Sequence, residues 1–271
     1  MTATTSFPSS ERSGTAGRLP VAVVGAGPIG LVAAAHLLAR GETPLVLEAG
    51  PAVGASIRQW AHVRLFSPWK YLIDQTSREM LEAAGWRAPD ADLLPTGGEF
   101  LTEFLEPLAA LPAIAARLRL GHQVLAVTRR GIDKMRTANR DTTPFELAVR
   151  GPDGRTTRVL ARAVIDASGT WGTPNPVGAG GVPAAGEAEF GARIHYGIPD
   201  VLGRDRERYA ARRTLVVGSG HSAFTALLDL AALARRVPGT SVVWAVRLGG
   251  SSCCGVGDAL EEPAPVALTT W

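Results

Sequence analysis

Hydrophobic and polar positions alternate along this chain in two recognisable rhythms. A short apolar run, Val21 to Val24, meets a glycine turn, and Leu31 to Leu38 then follows with the spacing of a helix. "TPLVLEAG", Thr43 to Gly50, is the next strand and ends in Glu48. Strand, helix and strand in this order predict a β-α-β unit, which builds parallel sheets with right-handed crossovers. "LPTGGEFLTEFLEPLAAL" starts with turn residues and predicts a helix from about Gly98 that Pro107 interrupts. "HQVLAVTRR" and "PFELAVRGPDGRTTRVLARAVIDASG" alternate as strands do, with "GPDGR" as a turn and "AVIDASG" as an apolar strand stopping at small residues. A Pro/Gly-rich passage, "GTWGTPNPVGAGGVP", then reads as a crossing between domains.

After that passage the opening rhythm returns. "TLVVGSGHSAFTALLDL", Thr214 to Leu230, repeats the apolar run, glycine turn and helix, and "SVVWAV" is the strand after it. The fold class predicted is α/β, with two Rossmann-like units. The expected boundaries are a polar tail over 1–18, the first domain over 19–172, a linker with the partial second domain over 173–247, and an irregular tail over 248–271.

The two turns differ in chemistry. Gly25, Gly27 and Gly30 form G-x-G-x-x-G between a strand and a helix, enclosing Ala26, Pro28 and Ile29. The first glycine permits the turn, the second lets a pyrophosphate approach the backbone, and the third lets helix and strand pack closely. The pyrophosphate rests on free N–H groups at the helix start. Glu48, about 20 residues on, is placed to accept the ribose hydroxyls. The second turn, Gly218-Ser219-Gly220-His221-Ser222-Ala223, leads to a strand followed by Arg247. A carboxylate there would repel a 2′-phosphate, whereas a guanidinium pairs with it. FAD is therefore expected at the first turn, with Gly169 at its margin, and NADPH at the second.

Composition narrows the classes. The chain has 271 residues, 46% hydrophobic and 20% charged, as ordinary globular proteins do. Its formal charge of +3 comes from scattered arginines, with Lys70 and Lys134 the only lysines. No basic stripe marks a nucleic-acid surface. Three glycines, Pro28 and His36 argue against reading Val21–Ala39 as a signal peptide or membrane span. Cys253 and Cys254 are adjacent, a spacing that fits no usual zinc or redox motif. A cytoplasmic protein with a small-molecule substrate is the expectation.

The order "GAGPIG", "LEAG", the aromatic "W…RLFSPWKY" loop, "LPTGGEFLTEFLEPLA", "VIDASGTWGTP" and "VGSGHSA" resembles the flavin-containing monooxygenase group over about residues 20 to 247. "FGARIHYGIPD" is similar to that group's linker fingerprint, F-x-G-x-x-x-H-x-x-x-W-P/D. Gly191, His195 and Asp200 keep its spacing, Phe190 lies one residue too close, and Pro199 stands where an aromatic belongs. The resemblance implies that NADPH reduces FAD, that a C4a-peroxyflavin forms with O2, and that it passes oxygen to a small molecule. It assigns no catalytic side chain. It puts Trp60, Arg64 and Ser67 on the flavin side by position, with a core aromatic as the other reading of Trp60. His195 either contacts nicotinamide or anchors the linker, and His221 is a helix-start residue. The resemblance further implies a Rossmann-like FAD-binding domain with an inserted NADP-binding Rossmann-like domain, incomplete here. It also implies a returning strand and helix, for which the residues after Arg247 are too few, so a truncated or frame-altered member is expected. Two alternatives stay open: a flavin reductase of the thioredoxin-reductase type, and a non-catalytic FAD-binding remnant.

Overall fold

The structure is a computed structural model describing residues 18–246 and 266–270. Arg247, Cys253, Cys254 and the expected polar tail, apart from Arg18, lie outside the described residues.

The first β-α-β unit comprises β1 (Val21–Val24), α1 (Pro28–Ala39) and β2 (Pro44–Leu47). Proline in the first turn of α1 is suited to that place, because its missing N–H would have had no helical partner there. β1 runs parallel to β2 with Val21 opposite Pro44. β3 (Leu118–Arg119) and β7 (Ala163–Asp166) complete a sheet of order β3-β2-β1-β7.

Between β2 and β3 the chain forms α2 (Ala55–Gln59), α3 (Gln75–Ala83), α4 (Gly97–Phe100), a π-helical turn (Leu101–Leu105), α5 (Glu106–Ala110) and α6 (Pro112–Ala115). Thr96 and Glu99 open α4 with a capping box, each side chain bonding the other's backbone N–H. The helix expected to stop at Pro107 continues past it. Proline cannot donate to the carbonyl four residues back and crowds it. Here that carbonyl, on Glu103, accepts from the Trp86 indole N–H at 2.8 Å. The wider π-turn, closed by Glu106 N–H to Leu101 O, precedes the proline. Buried Phe100, Phe104, Leu105, Leu108 and Ile114 join Leu31, Ala34 and Val46 in one core.

β4 (Gln123–Arg129), β5 (Phe145–Arg150) and β6 (Thr156–Ala161) form an antiparallel sheet. Leu147, Val149 and Ala161 pack against Ala22 and Leu47 of the parallel sheet. "GPDGR" is the turn joining β5 to β6, closed by Gly151 N–H to Arg155 O at 2.9 Å.

The second unit has β8 (Ile194–Tyr196), α7 (Arg206–Tyr209), β9 (Arg213–Val217), α8 (His221–Arg236), β10 (Ser241–Ala245) and β11 (Val266–Thr270). Its sheet is parallel throughout, in the order β10-β9-β11-β8. Of the span 248–271, expected as an irregular tail, the described part is Val266–Thr270, and its backbone is a strand between β9 and β8, in register from Val266 opposite Arg213.

Candidate functional site: two glycine turns and a cavity beside the second

The first glycine turn lies at the carboxyl ends of β1 and β2. Gly25 has φ +98°, and a Cβ there would stand 2.6 Å from the Ala167 carbonyl oxygen. A Cβ on Gly30 would stand 1.9 Å from the Gly25 carbonyl oxygen, so only glycine lets α1 approach this closely. A Cβ on Gly27 would meet nothing within 4 Å. No side chain caps α1, leaving its first-turn amides without a capping acceptor of their own. Open space above Gly27 and an uncapped helix start suit a pyrophosphate.

Glu48 stands against this turn. One carboxylate oxygen accepts from Ala26 N–H at 2.6 Å and the other from Gly50 N–H at 2.7 Å. A carboxylate has about four lone-pair sites, so each oxygen keeps one for a hydroxyl. The loop after β7 closes the far side. Ala167 N–H donates to Val24 O, and Ser168 donates its N–H and its hydroxyl to Asp166, holding that carboxyl below its ordinary range. Gly169 follows with φ +70° and open space where a Cβ would be.

The second turn repeats the design with one change. Gly218 ends β9 with φ +120°, and its carbonyl accepts from the Trp244 indole at 2.7 Å. Gly220 precedes α8 without a side-chain cap and with open space at its Cβ position. Ala223 takes the place of the third glycine and is fully buried. Ser222 lines a cavity of about 640 Å3 with Gln59, Trp171, Asn175 and Tyr196. That cavity joins α2, the crossing after Gly169, the end of β8 and the start of α8.

Trp60 and Arg64 follow α2, and neither lines the cavity beside Ser222. The Trp60 ring packs over Gly97, where a Cβ would lie 2.7 Å from it, and it belongs with the core aromatics. Arg64 donates to the Leu94 carbonyl and lines a separate cavity of about 590 Å3 with Trp69, Asp90 and Glu99. Phe66 of the same loop stacks on His221 at 4.1 Å between centroids, so this loop touches the start of α8.

The linker fingerprint has structural work. Asp200 accepts from Arg204 N–H, and its own N–H donates to Asp205, closing the turn after β8. Burial pushes His195 below its ordinary value, with Asp205 opposing and Arg208, Arg204 and His62 reinforcing the shift. Sequence reading missed Gln59, Trp171, Asn175 and Tyr196, and also Glu187. The signal available was a tryptophan in an otherwise Gly/Pro-rich crossing, which a solvated linker does not need. Among the described residues, no helix is long and apolar enough to cross a membrane.

Residues 23–77 match the model of an NAD(P)-binding Rossmann-like domain. That stretch holds the whole first glycine turn and Glu48. No curated protein matches the chain. Among solved structures, a bacillithiol disulfide reductase from Bacillus cereus is 22% identical with a TM-score of 0.56, covering 84% of this chain and 59% of its own. A flavin-containing monooxygenase from Stenotrophomonas maltophilia is 22% identical with a TM-score of 0.53, covering 86% and 59%. An FAD-bound cadaverine monooxygenase from Erwinia amylovora is 16% identical with a TM-score of 0.63, covering 85% and 51%. The chain thus spans less than two thirds of the length of these proteins. Its fold is the one shared by flavin monooxygenases and related FAD-dependent oxidoreductases, and a stretch near its start matches a Rossmann-like domain model.

Proposed function

We propose that this chain binds FAD at the first glycine turn and NADPH at the second, and acts as a flavin-dependent oxidoreductase of the monooxygenase type. The observation that carries the reading is Glu48 set against an uncapped glycine turn with open space above Gly27. Gly25, Ala26, Gly27, Pro28, Ile29 and Gly30 would hold the pyrophosphate, with Glu48 on the ribose and Gly169 at the margin. Gly218, Ser219, Gly220 and Ser222 would hold the second dinucleotide, with Arg247 on its 2′-phosphate. The cavity beside Ser222 and the crossing after Gly169 supports a place for a small molecule next to the second cofactor. The flavin, when bound, would supply hydride acceptance and oxygen activation. The residues of the two turns would bind and orient the dinucleotides.

The test is a flavin spectrum of the purified chain, followed by NADPH addition under air with thioether, amine and ketone substrates. Bound flavin, NADPH oxidation and an oxygenated product support the reading. Absence of flavin uptake by the folded chain overturns it. A second reading, a flavin disulfide reductase, is favoured by the fold shared with the bacillithiol disulfide reductase. It requires NADPH oxidation to depend on a disulfide acceptor and to proceed without O2.

A further inference from the structure

Glu187 is a carboxylate with only 7% of its surface exposed, and it lies outside both glycine turns. Charge buried this deeply is retained when donors surround it. Four contacts do so here. Val177 N–H reaches both carboxylate oxygens at 3.0 and 3.2 Å, Ala184 N–H reaches one at 2.7 Å, and the Tyr196 hydroxyl donates to the other. Val177 and Ala184 belong to the crossing between the domains, whereas Tyr196 ends β8. An apolar cavity of about 170 Å3, with Phe190, Ile194 and Leu215 in its wall, adjoins the carboxylate.

Tyr196 also lines the cavity beside the second glycine turn, together with Trp171 and Ser222. Trp171 packs beside Gly197, where a Cβ would stand 3.0 Å from its ring. A continuous path therefore runs from the linker amides through Glu187 to Tyr196, and from there to the cavity wall shared with the second turn. A carboxylate suits this post because it only accepts; an amide would turn an NH2 toward one of these donors.

We propose that Glu187 is a positioning residue: acting through Tyr196, it joins the linker to the cavity wall and so sets the geometry in which the second cofactor is held. This rests on the two-cofactor reading above. The experiment titrates NADP+ into the FAD-loaded full chain for wild type, Glu187→Gln, Tyr196→Phe and the double variant. Hydrogen exchange at the Val177 and Ala184 amides is followed in the same proteins. Each single variant weakens NADP+ about tenfold, the scale of one lost hydrogen bond to a charged group. The double variant is no worse than either single, because both break one path. FAD stays bound, and the linker amides exchange faster in both single variants.

Tyr196→Phe is decisive, since it leaves the two linker amides their acceptor. If Glu187 merely staples the linker, Tyr196→Phe keeps wild-type NADP+ affinity and wild-type exchange, and the proposal is overturned. Additive losses in the double variant overturn it as well. A wild-type chain that binds FAD but no NADP+ sinks the two-cofactor reading and, with it, the role toward that cofactor. Exchange still distinguishes the cases, because faster exchange in Tyr196→Phe keeps the structural path and unchanged exchange removes that too.

Discussion

The two glycine turns occupy equivalent places in two parallel sheets, yet they are built to different tolerances. At the first, α1 presses so closely on the turn that the Gly30 position has no room for a methyl group. At the second, α8 sits behind a buried alanine, Ala223. The first turn also has its own anion, Glu48, bonded into its backbone, whereas the second is braced through a carbonyl by the Trp244 indole. One motif spacing thus covers a rigid, internally braced turn and a roomier one. The rigid turn is suited to a resident group, and the roomier one to a group that comes and goes.

The largest effect that probes this contrast comes from exchanging the third residues. Gly30→Ala puts a methyl group on a backbone carbonyl that cannot move away, and it should cost about 3 kcal/mol or more. Ala223→Gly removes a methyl and adds helix flexibility, costing about 1 kcal/mol. Urea unfolding of both variants measures the pair. Equal losses would mean that the two helices approach their turns alike.

Next in size is the carboxylate. Glu48→Gln turns one acceptor into a donor facing either Ala26 or Gly50 N–H. Affinity for FAD should fall about tenfold to a hundredfold, from hydrogen bonds to a charged group worth about 1.5–3 kcal/mol. Fluorescence titration with FAD measures it. An unchanged affinity would separate Glu48 from the ribose and leave it a brace for the turn. The same substitution should leave NADP+ binding untouched, which sharpens the contrast between the turns.

A smaller effect lies upstream of α4. Thr96→Ala removes one half of the capping box and should lower stability by about 1 kcal/mol. The loss belongs to the first domain, and thermal unfolding checks it.

The β-α-β rhythm, the glycine spacing and Glu48 could be read from sequence because each depends on neighbours close along the chain. Tertiary partners decided the rest. The helix continues past Pro107 because the Trp86 indole takes the carbonyl that proline leaves without a donor, and no local rule links positions 86 and 103. The strand Val266–Thr270 is five residues after a proline-containing stretch, and its pairing comes from lying between β9 and β8. Trp60 and Arg64 stand in an aromatic loop, and only the fold shows that one packs over Gly97 and the other bonds the Leu94 carbonyl. Glu187 carried no motif at all. Its role emerges only where Val177, Ala184 and Tyr196 converge from three places in the chain.

The smallest expected effect is a difference in how the two regions respond to acid. In the first, Glu99 and Asp166 are held below the usual carboxylate range, Glu99 chiefly by the Thr96 backbone N–H and Asp166 by Ser168. Groups of this kind stabilise above their unfolded values and lose that contribution only as pH falls through the lower folded ones. The contribution of these two carboxylates should therefore stay level from about pH 7 to about pH 5, the range in which histidine titrates. In the second region burial lowers His195 from its ordinary 6.5. Its neutral form is the one the fold accepts, so its contribution is full above 6.5 and is lost as pH falls through the lowered value. The groups acting on it are Asp205, which favours the charged ring, and Arg208, Arg204 and His62, which oppose it. Asp229 on α8, raised by burial, works in the opposite direction because it gains a proton more readily when folded. Hydrogen exchange of β8 and of β1, compared between the wild-type chain and His195→Asn, isolates the histidine. Protection at β8, taken relative to the intrinsic amide exchange rate at each pH, should fall with acid in the wild type and much less in the variant, while protection at β1 is unchanged in both. A β8 response identical in the two proteins would assign the acid sensitivity to the surrounding carboxylates and remove the histidine from the comparison.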